Sequence, residues 1–221
     1  CMLLATGLSQ GNTALAQSES EFRTVQFASE RVLNAWQKYN EPLSVLFARK
    51  DLQWPANDLF IRAFKQENEL EIWARDRNAE KFKHVKTYRI CALSGKLGPK
   101  RKKGDKQVPE GYYFIEDFNA QSEFHLSLGL SYPNYSDIIN ARGQHAGGDI
   151  YIHGGCLTVG CLPMEDEGIR EIYILCLNAR LNGQNYIPVH VFPTRLTNEG
   201  LSSLQRDTNY LTQNTLWRML K

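Results

Sequence analysis

The run Ile152-His153-Gly154-Gly155-Cys156-Leu157-Thr158-Val159-Gly160-Cys161 puts an imidazole, a flexible backbone and two thiols close together. These are the parts of a cysteine nucleophile site. A thiol attacks a carbonyl usefully only as thiolate, and an imidazole that accepts its proton makes that anion available near neutral pH. His153 and Cys161 can form such a pair. Glycines at 154, 155 and 160 permit tight turns, and Gly160 before the nucleophile leaves room for backbone N–H groups to face a substrate oxyanion.

Three other readings of the same residues stay open. His153, Cys156 and Cys161 are all zinc-binding types, although H-x2-C-x4-C matches no common zinc pattern and a fourth ligand would come from distant Cys91, Cys176 or His145. Cys156 and Cys161 could close a small disulfide loop. Both could instead be inert core thiols, since free cysteine is among the most buried residue types.

His153-Gly154 followed by Thr158-Val159-Gly160-Cys161 resembles the His...Ser/Thr-x-Gly-Cys signature of the L,D-transpeptidase (YkuD-type) catalytic domain, the cysteine enzymes of bacterial peptidoglycan. Ordered blocks elsewhere resemble its YafK-like branch: Tyr88-Arg89-Ile90-Cys91, Gly95 to Lys100, Gly104-Asp105, Pro109 to Tyr113, Tyr132-Pro133-Asn134 and Cys161-Leu162-Pro163-Met164. The match covers about residues 58 to 197. Only seven residues separate His153 from Cys161, a spacing that marks this branch. Val159 and Pro163 stand where many transpeptidases carry His and Arg or Asn, which removes a substrate-orienting contact.

The resemblance implies a mostly β (α+β) fold, an antiparallel β-sandwich with a helix after the nucleophile and helical N- and C-terminal additions. It implies acyl transfer with no metal or organic cofactor. His153 takes the Cys161 proton, the Gly154 carbonyl orients the imidazole, and the N–H groups of Val159, Gly160 and Cys161 form the oxyanion hole. Tyr112, Tyr132 and His145 are candidate pocket walls. The implied substrate is a peptidoglycan stem peptide containing meso-diaminopimelate, attacked at the carbonyl of its L-centre to give a thioester. The branch implies hydrolysis, notably release of an outer-membrane lipoprotein attached to peptidoglycan. Alternatives are 3-3 cross-linking or lipoprotein attachment, trimming of tetrapeptides as an L,D-carboxypeptidase, and a non-catalytic wall-binding module. A Gram-negative periplasm is inherited from the same resemblance.

Composition agrees with a folded, exported enzyme. With 221 residues, 42% hydrophobic and 23% charged, the chain can bury a sizeable core and is too balanced to be disordered. Residues 1–16 carry no charge, open with Met2-Leu3-Leu4-Ala5 and finish Ala14-Leu15-Ala16, which reads as a signal-peptide remnant cleaved before Gln17. No other stretch approaches the roughly 20 apolar residues of a membrane span. A net charge of +2 and one basic run, Lys100-Arg101-Lys102-Lys103, argue against nucleic-acid binding. That run reads as a solvated loop, or as an attraction for anionic wall polymer. An oxidising periplasm permits disulfides, so Cys156 is either a wall of the site or a redox partner of Cys161.

Local patterns then place the elements. Val25, Ala28, Val32, Leu33 and Trp36 lie near helical spacing and predict an amphipathic helix over 24–39. Two apolar runs flanking Gln66-Glu67-Asn68-Glu69 predict a hairpin over 59–74. Strands follow at 82–92, 112–118, 124–130, 149–153 and 187–192, the fourth delivering His153. His84, His125 and His190 alternate with apolar residues on these strands and read as structural. A helix begins at Pro163 with Glu165, Asp166 and Glu167 in its first turn and runs to about Leu177. A cysteine just before such a helix gains thiolate stabilisation. Two short helices end the chain. The expected organisation is 1–16 signal remnant, 17–57 helical segment, 58–197 catalytic domain and 198–221 helical extension.

Overall fold

A computed structural model describes residues 19–206 and 214–220. The expected signal remnant lies outside these residues. Eight strands form one sheet in the order β3-β2-β1-β8-β4-β5-β6-β7. They are β1 (Asp58–Phe64), β2 (Glu69–Arg75), β3 (Lys83–Arg89), β4 (Gly111–Asn119), β5 (Ser127–Leu130), β6 (Tyr151–His153), β7 (Leu162–Pro163) and β8 (Pro188–Phe192). The β-rich α+β class is as expected. The sheet itself is mixed, because β1–β8 and β6–β7 pair in parallel while the other neighbours are antiparallel.

Strand β4 joins the two halves of the sheet. Its first residues pair with β8 and its last with β5, and the register shifts between Ile115 and Asp117. An extra residue at such a bulge bends a strand and increases its twist, so the sheet curls. The helix that follows Cys161, α4 (Glu165–Leu181), packs against β1, β5 and β6 of this sheet. Ile169, the run from Ile172 to Cys176, and Leu177 to Ala179 are all buried, as befits a helix covered on several sides. Each fully buried Leu or Ile contributes about 1.5–3 kcal/mol relative to exposure.

The helix predicted over 24–39 is two helices. Residues 19–27 form α1, Ala28 and Ser29 break the run, and α2 spans Glu30–Arg49. Tertiary hydrogen bonds account for the break. Gln26 Nε2 donates to Phe118 O at 3.1 Å and Ser29 Oγ to Ala120 O at 3.2 Å, so two buried polar side chains satisfy the end of β4. The short helix α3 (Tyr135–Asn140) was not expected. It carries a capping box in which Asn134 and Asp137 each accept the other's backbone N–H. The predicted strand over 124–130 begins only at Ser127, and His125 sits before it with φ +71° in the left-handed region. Pro163 belongs to β7 and not to the first helical turn, because its neighbour Leu162 pairs with Ile152. At the end of the chain are α5 (Asn198–Arg206) and α6 (Asn214–Met219).

One buried ion pair ties the C-terminal helix to the loop that passes the site. Lys65 Nζ donates to Glu110 Oε1 at 2.9 Å and to the carbonyls of Gly98 and Val108. Trp217 Nε1 of α6 donates to Glu110 Oε2 at 2.7 Å. Burial pulls the Lys65 ammonium below its ordinary value, and Glu110 opposes that shift. Removing one partner strands the other charge in the core. Lys65→Met is therefore expected to lower unfolding free energy by about 3–5 kcal/mol in urea titration, and adding Glu110→Leu to recover part of the loss. A loss under about 1 kcal/mol, the range of exposed pairs, would show that the pair is solvated.

Candidate active site

The parallel pairing of β6 and β7 sets the geometry. Ile152 lies opposite Leu162 and His153 opposite Pro163. Side chains alternate along a strand, so Cys161, two before Pro163, shares the face of Tyr151 and His153. Tyr151 N–H donates to Cys161 Sγ at 3.4 Å, and the S–H lies 3.6 Å from its acceptor, Asp149 O. His153 and Cys161 line one cleft of about 320 Å³ together with Phe124, Ser127, Asp149 and Tyr151.

His153 is 2% exposed. Its Nδ1 is 2.6 Å from the Gly154 carbonyl oxygen. A carbonyl can only accept, so Nδ1 carries the proton and Nε2 keeps its lone pair. Phe124 packs on the ring at 4.6 Å between centroids. Gly154 cannot be larger: an added Cβ would fall 2.5 Å from Phe124 O and 2.7 Å from Asp166 Oδ1. Its N–H bonds to the carbonyls of Phe124 and Leu126. Gly160, with φ +111°, passes so close to Gln107 O that a Cβ would stand 2.9 Å from it. The 91–110 loop is thus the floor under the nucleophile turn.

Burial sets the protonation states. It lowers the His153 pKa from 6.5, against the hydrogen bond to Gly154. It raises the Cys161 pKa from 9.0; the Tyr151 N–H and the charge of Lys100 oppose this, and Asp149 adds to it. The resting pair is a neutral thiol beside a neutral imidazole. Both shifts run against the thiolate near neutral pH that the sequence suggests. Helix assistance is also absent from this arrangement, since β7 separates Cys161 from α4 and the donor to Sγ is a strand amide.

The other described cysteines have separate fates. Cys156 is disulfide-bonded to Cys91, with Cα atoms 5.7 Å apart, and Cys161 is free. This rules out the Cys156–Cys161 bridge, a redox partnership between them and Cys156 as a zinc ligand. Cys176 is fully buried in α4, where desolvation raises its pKa far above the ordinary thiol range.

Within the proposed oxyanion turn, Thr158 Oγ1 accepts from Cys161 N–H and donates to Cys161 O, both at 2.9 Å. The Cys161 amide is engaged there, which leaves Val159 and Gly160 as the expected donors. The three proposed pocket walls lie elsewhere. Tyr112 donates to Leu220 O and lines a separate groove with Phe60, His190 and Arg195. Tyr132 is buried, its hydroxyl donating to Ala146 O at 2.9 Å. His145 is exposed in its loop and accepts from Gly147 N–H through Nδ1. Of the basic run, Lys100 is buried against Asp105 and Arg101 reaches Asp137, while Lys102 and Lys103 are exposed. Sequence reasoning missed Phe124, Asp149 and Tyr151, which act by ring packing or backbone groups and leave no motif. Asp166 is one of the three acids expected in the first turn of the helix, and its Oδ1 also accepts from Gly155 N–H at 2.9 Å.

Comparison with known proteins bears on the same residues. YafK of Escherichia coli (strain K12), which carries an L,D-transpeptidase name, is 30% identical over 171 residues, 76% of this chain and 66% of the relative. The chain thus spans just under two thirds of that relative. Partial structural likeness links it to Pgp2, titled a helical cell shape determining protein, from Campylobacter jejuni (TM-score 0.49, 18% identity, 69% of this chain and 56% of that one). Bd1075 of Bdellovibrio bacteriovorus is similar at TM-score 0.45 and 21% identity over 64% of this chain and 50% of that one. The model of the YkuD family, described as the L,D-transpeptidase catalytic domain, matches residues 60–191, a span that contains His153, Cys161 and the sheet carrying them. The chain belongs to the YkuD family of L,D-transpeptidase catalytic domains.

Proposed function

We propose that this protein is a periplasmic cysteine enzyme that cleaves meso-diaminopimelate-containing peptidoglycan stem peptides through a Cys161 thioester, with water as the acceptor. The carrying observation is the shared cleft of His153 and Cys161, with the imidazole fixed by Gly154 O. In the forward step Nε2 takes the S–H proton as Sγ attacks the peptide carbonyl. Oxyanion charge falls to the amides of Val159 and Gly160. The protonated imidazole then gives its proton to the leaving amine, and a water activated by the same nitrogen cleaves the thioester. Two acidic residues, Asp149 and Glu123, line the cleft, which suits the ammonium group of diaminopimelate or a lysine-like amine. The released partner under this reading is a lipoprotein joined to diaminopimelate. Among the described residues no helix is long and apolar enough to cross a membrane.

Incubation with sacculi carrying bound lipoprotein and with isolated tetrapeptides, followed by muropeptide mass spectrometry, tests the proposal. The expected outcome is lipoprotein release or loss of a terminal residue, abolished in Cys161→Ala and reduced about 10²–10⁴-fold in His153→Ala, the range for removing a general base. New 3-3 dimers would assign transpeptidation instead. No change on any substrate would remove the catalytic reading.

The neutral pair predicts a particular pH profile. His153 works as a base only when unprotonated, and its pKa is lowered from 6.5. Activity should fall with acidification only below that value and stay level toward the alkaline side, because the thiol pKa is raised from 9.0. Thiolate absorbance in the ultraviolet should accordingly be missing near pH 7. An acid limb centred above 6.5, or thiolate absorbance at neutral pH, would contradict these protonation states.

A further inference from the structure

The turn between His153 and Cys161 is held at both ends by hydrogen bonds. At its start, Gly155 N–H donates to Asp166 Oδ1 and Gly155 O accepts from Glu165 N–H at 3.0 Å. At its finish, Thr158 and Cys161 bond to each other. The middle projects into solvent: Leu157 is 80% and Val159 67% exposed, so packing there supplies little restraint. Across this exposed stretch the chain is fastened covalently, by Cys156 to Cys91. Cys91 is itself a fixed point, since its N–H donates to Pro163 O of β7 at 3.0 Å. The bond therefore ties the turn that carries Val159 and Gly160 to the far side of the strand that follows the nucleophile. Cys156 is exposed and Cys91 partly so, which leaves the bond open to a soluble dithiol.

We propose that the Cys91–Cys156 disulfide is a positioning element of the active site and makes full turnover depend on oxidation of these two residues. The inference rests on the acyl-transfer reading of the same site. With the bond intact, the amides of Val159 and Gly160 are held where the oxyanion develops. A dithiol reductant opens it by exchange. One thiolate attacks a sulfur to give a mixed disulfide, the second displaces the protein thiol, and two electrons and two protons move to the protein as the dithiol closes to its cyclic disulfide. Cys161 takes no part in that exchange and keeps its thiol. Its chemistry is intact, but the turn that serves it is released.

The test uses the folded protein before and after mild dithiothreitol treatment, beside Cys91→Ser/Cys156→Ser. Peptide mapping should first find the Cys91–Cys156 link; its absence in protein folded under oxidising conditions overturns the proposal. Opening the bond should lower kcat by about tenfold or more, a part of the 10²–10³ lost when an oxyanion donor is removed, with KM within about twofold. Reoxidation should restore kcat. A merely structural bond would lower Tm and leave kcat unchanged well below Tm, and that result would overturn the positioning role. Amide hydrogen exchange over residues 156–161 gives a readout that needs no substrate. Faster exchange there after reduction is expected, and unchanged exchange overturns the proposal even if the untreated protein cleaves nothing. Inactivity of the untreated protein on every peptidoglycan substrate would count against the acyl-transfer reading alone.

Discussion

The two-rung parallel pairing of β6 with β7 is the constraint on which the site depends. It is the shortest ladder in the sheet, and it brings two residues eight apart in sequence onto one face. A slip of one residue would turn Cys161 to the opposite face from His153, because the side-chain period of a strand is two. Much of the surrounding structure holds that register. Leu162, Ile152 and Met164 are buried in the main core, Met164 N–H donates to His153 O at 2.8 Å, and Gly154 is wedged between Phe124 and Asp166 with no space for a side chain.

The same burial that fixes the pair also decides its chemistry. A thiolate–imidazolium pair would place two charges in a partly desolvated cleft, and the surrounding groups do not offset that cost: one strand amide and a lysine already paired to Asp105 face the thiol. The neutral pair is favoured at rest, and under the proposed acyl transfer charge appears only as bonds change. Preorganised amides matter most in such a site, since they meet the developing oxyanion without having to reorganise. Residues 154–160 are restrained from two sides, by hydrogen bonds to Glu165 and Asp166 at the start of α4 and by the floor that the 91–110 loop supplies under Gly160.

His153, Gly154 and Cys161 were legible because the chemistry needs those types at close spacing, and the hairpin over 59–74 because two apolar runs flank a polar turn with Asn68 at φ +57°. The walls were not. Tyr112 and Tyr132 lie in blocks that carry the family resemblance, but a strand alternates faces, and one residue of phase sends Tyr112 to an outer groove while Tyr113 enters the core. The break between α1 and α2 depends on carbonyls of residues 118 and 120, far away in sequence. The Cys91–Cys156 bond joins positions 65 apart, a distance over which spacing carries no information. Local pattern thus pointed to the residues proposed to react, whereas tertiary contacts chose what surrounds them.

Under the proposed acyl transfer, Cys161 forms a covalent acyl intermediate. Rapid quenching of the protein in acid during reaction with a stem peptide, followed by peptide mass spectrometry, measures it directly. The predicted result is a hydroxylamine-sensitive acyl adduct on the peptide containing Cys161 and on no other cysteine peptide. Substrate turnover with no adduct at any quench time, or an adduct on a different residue, would contradict it.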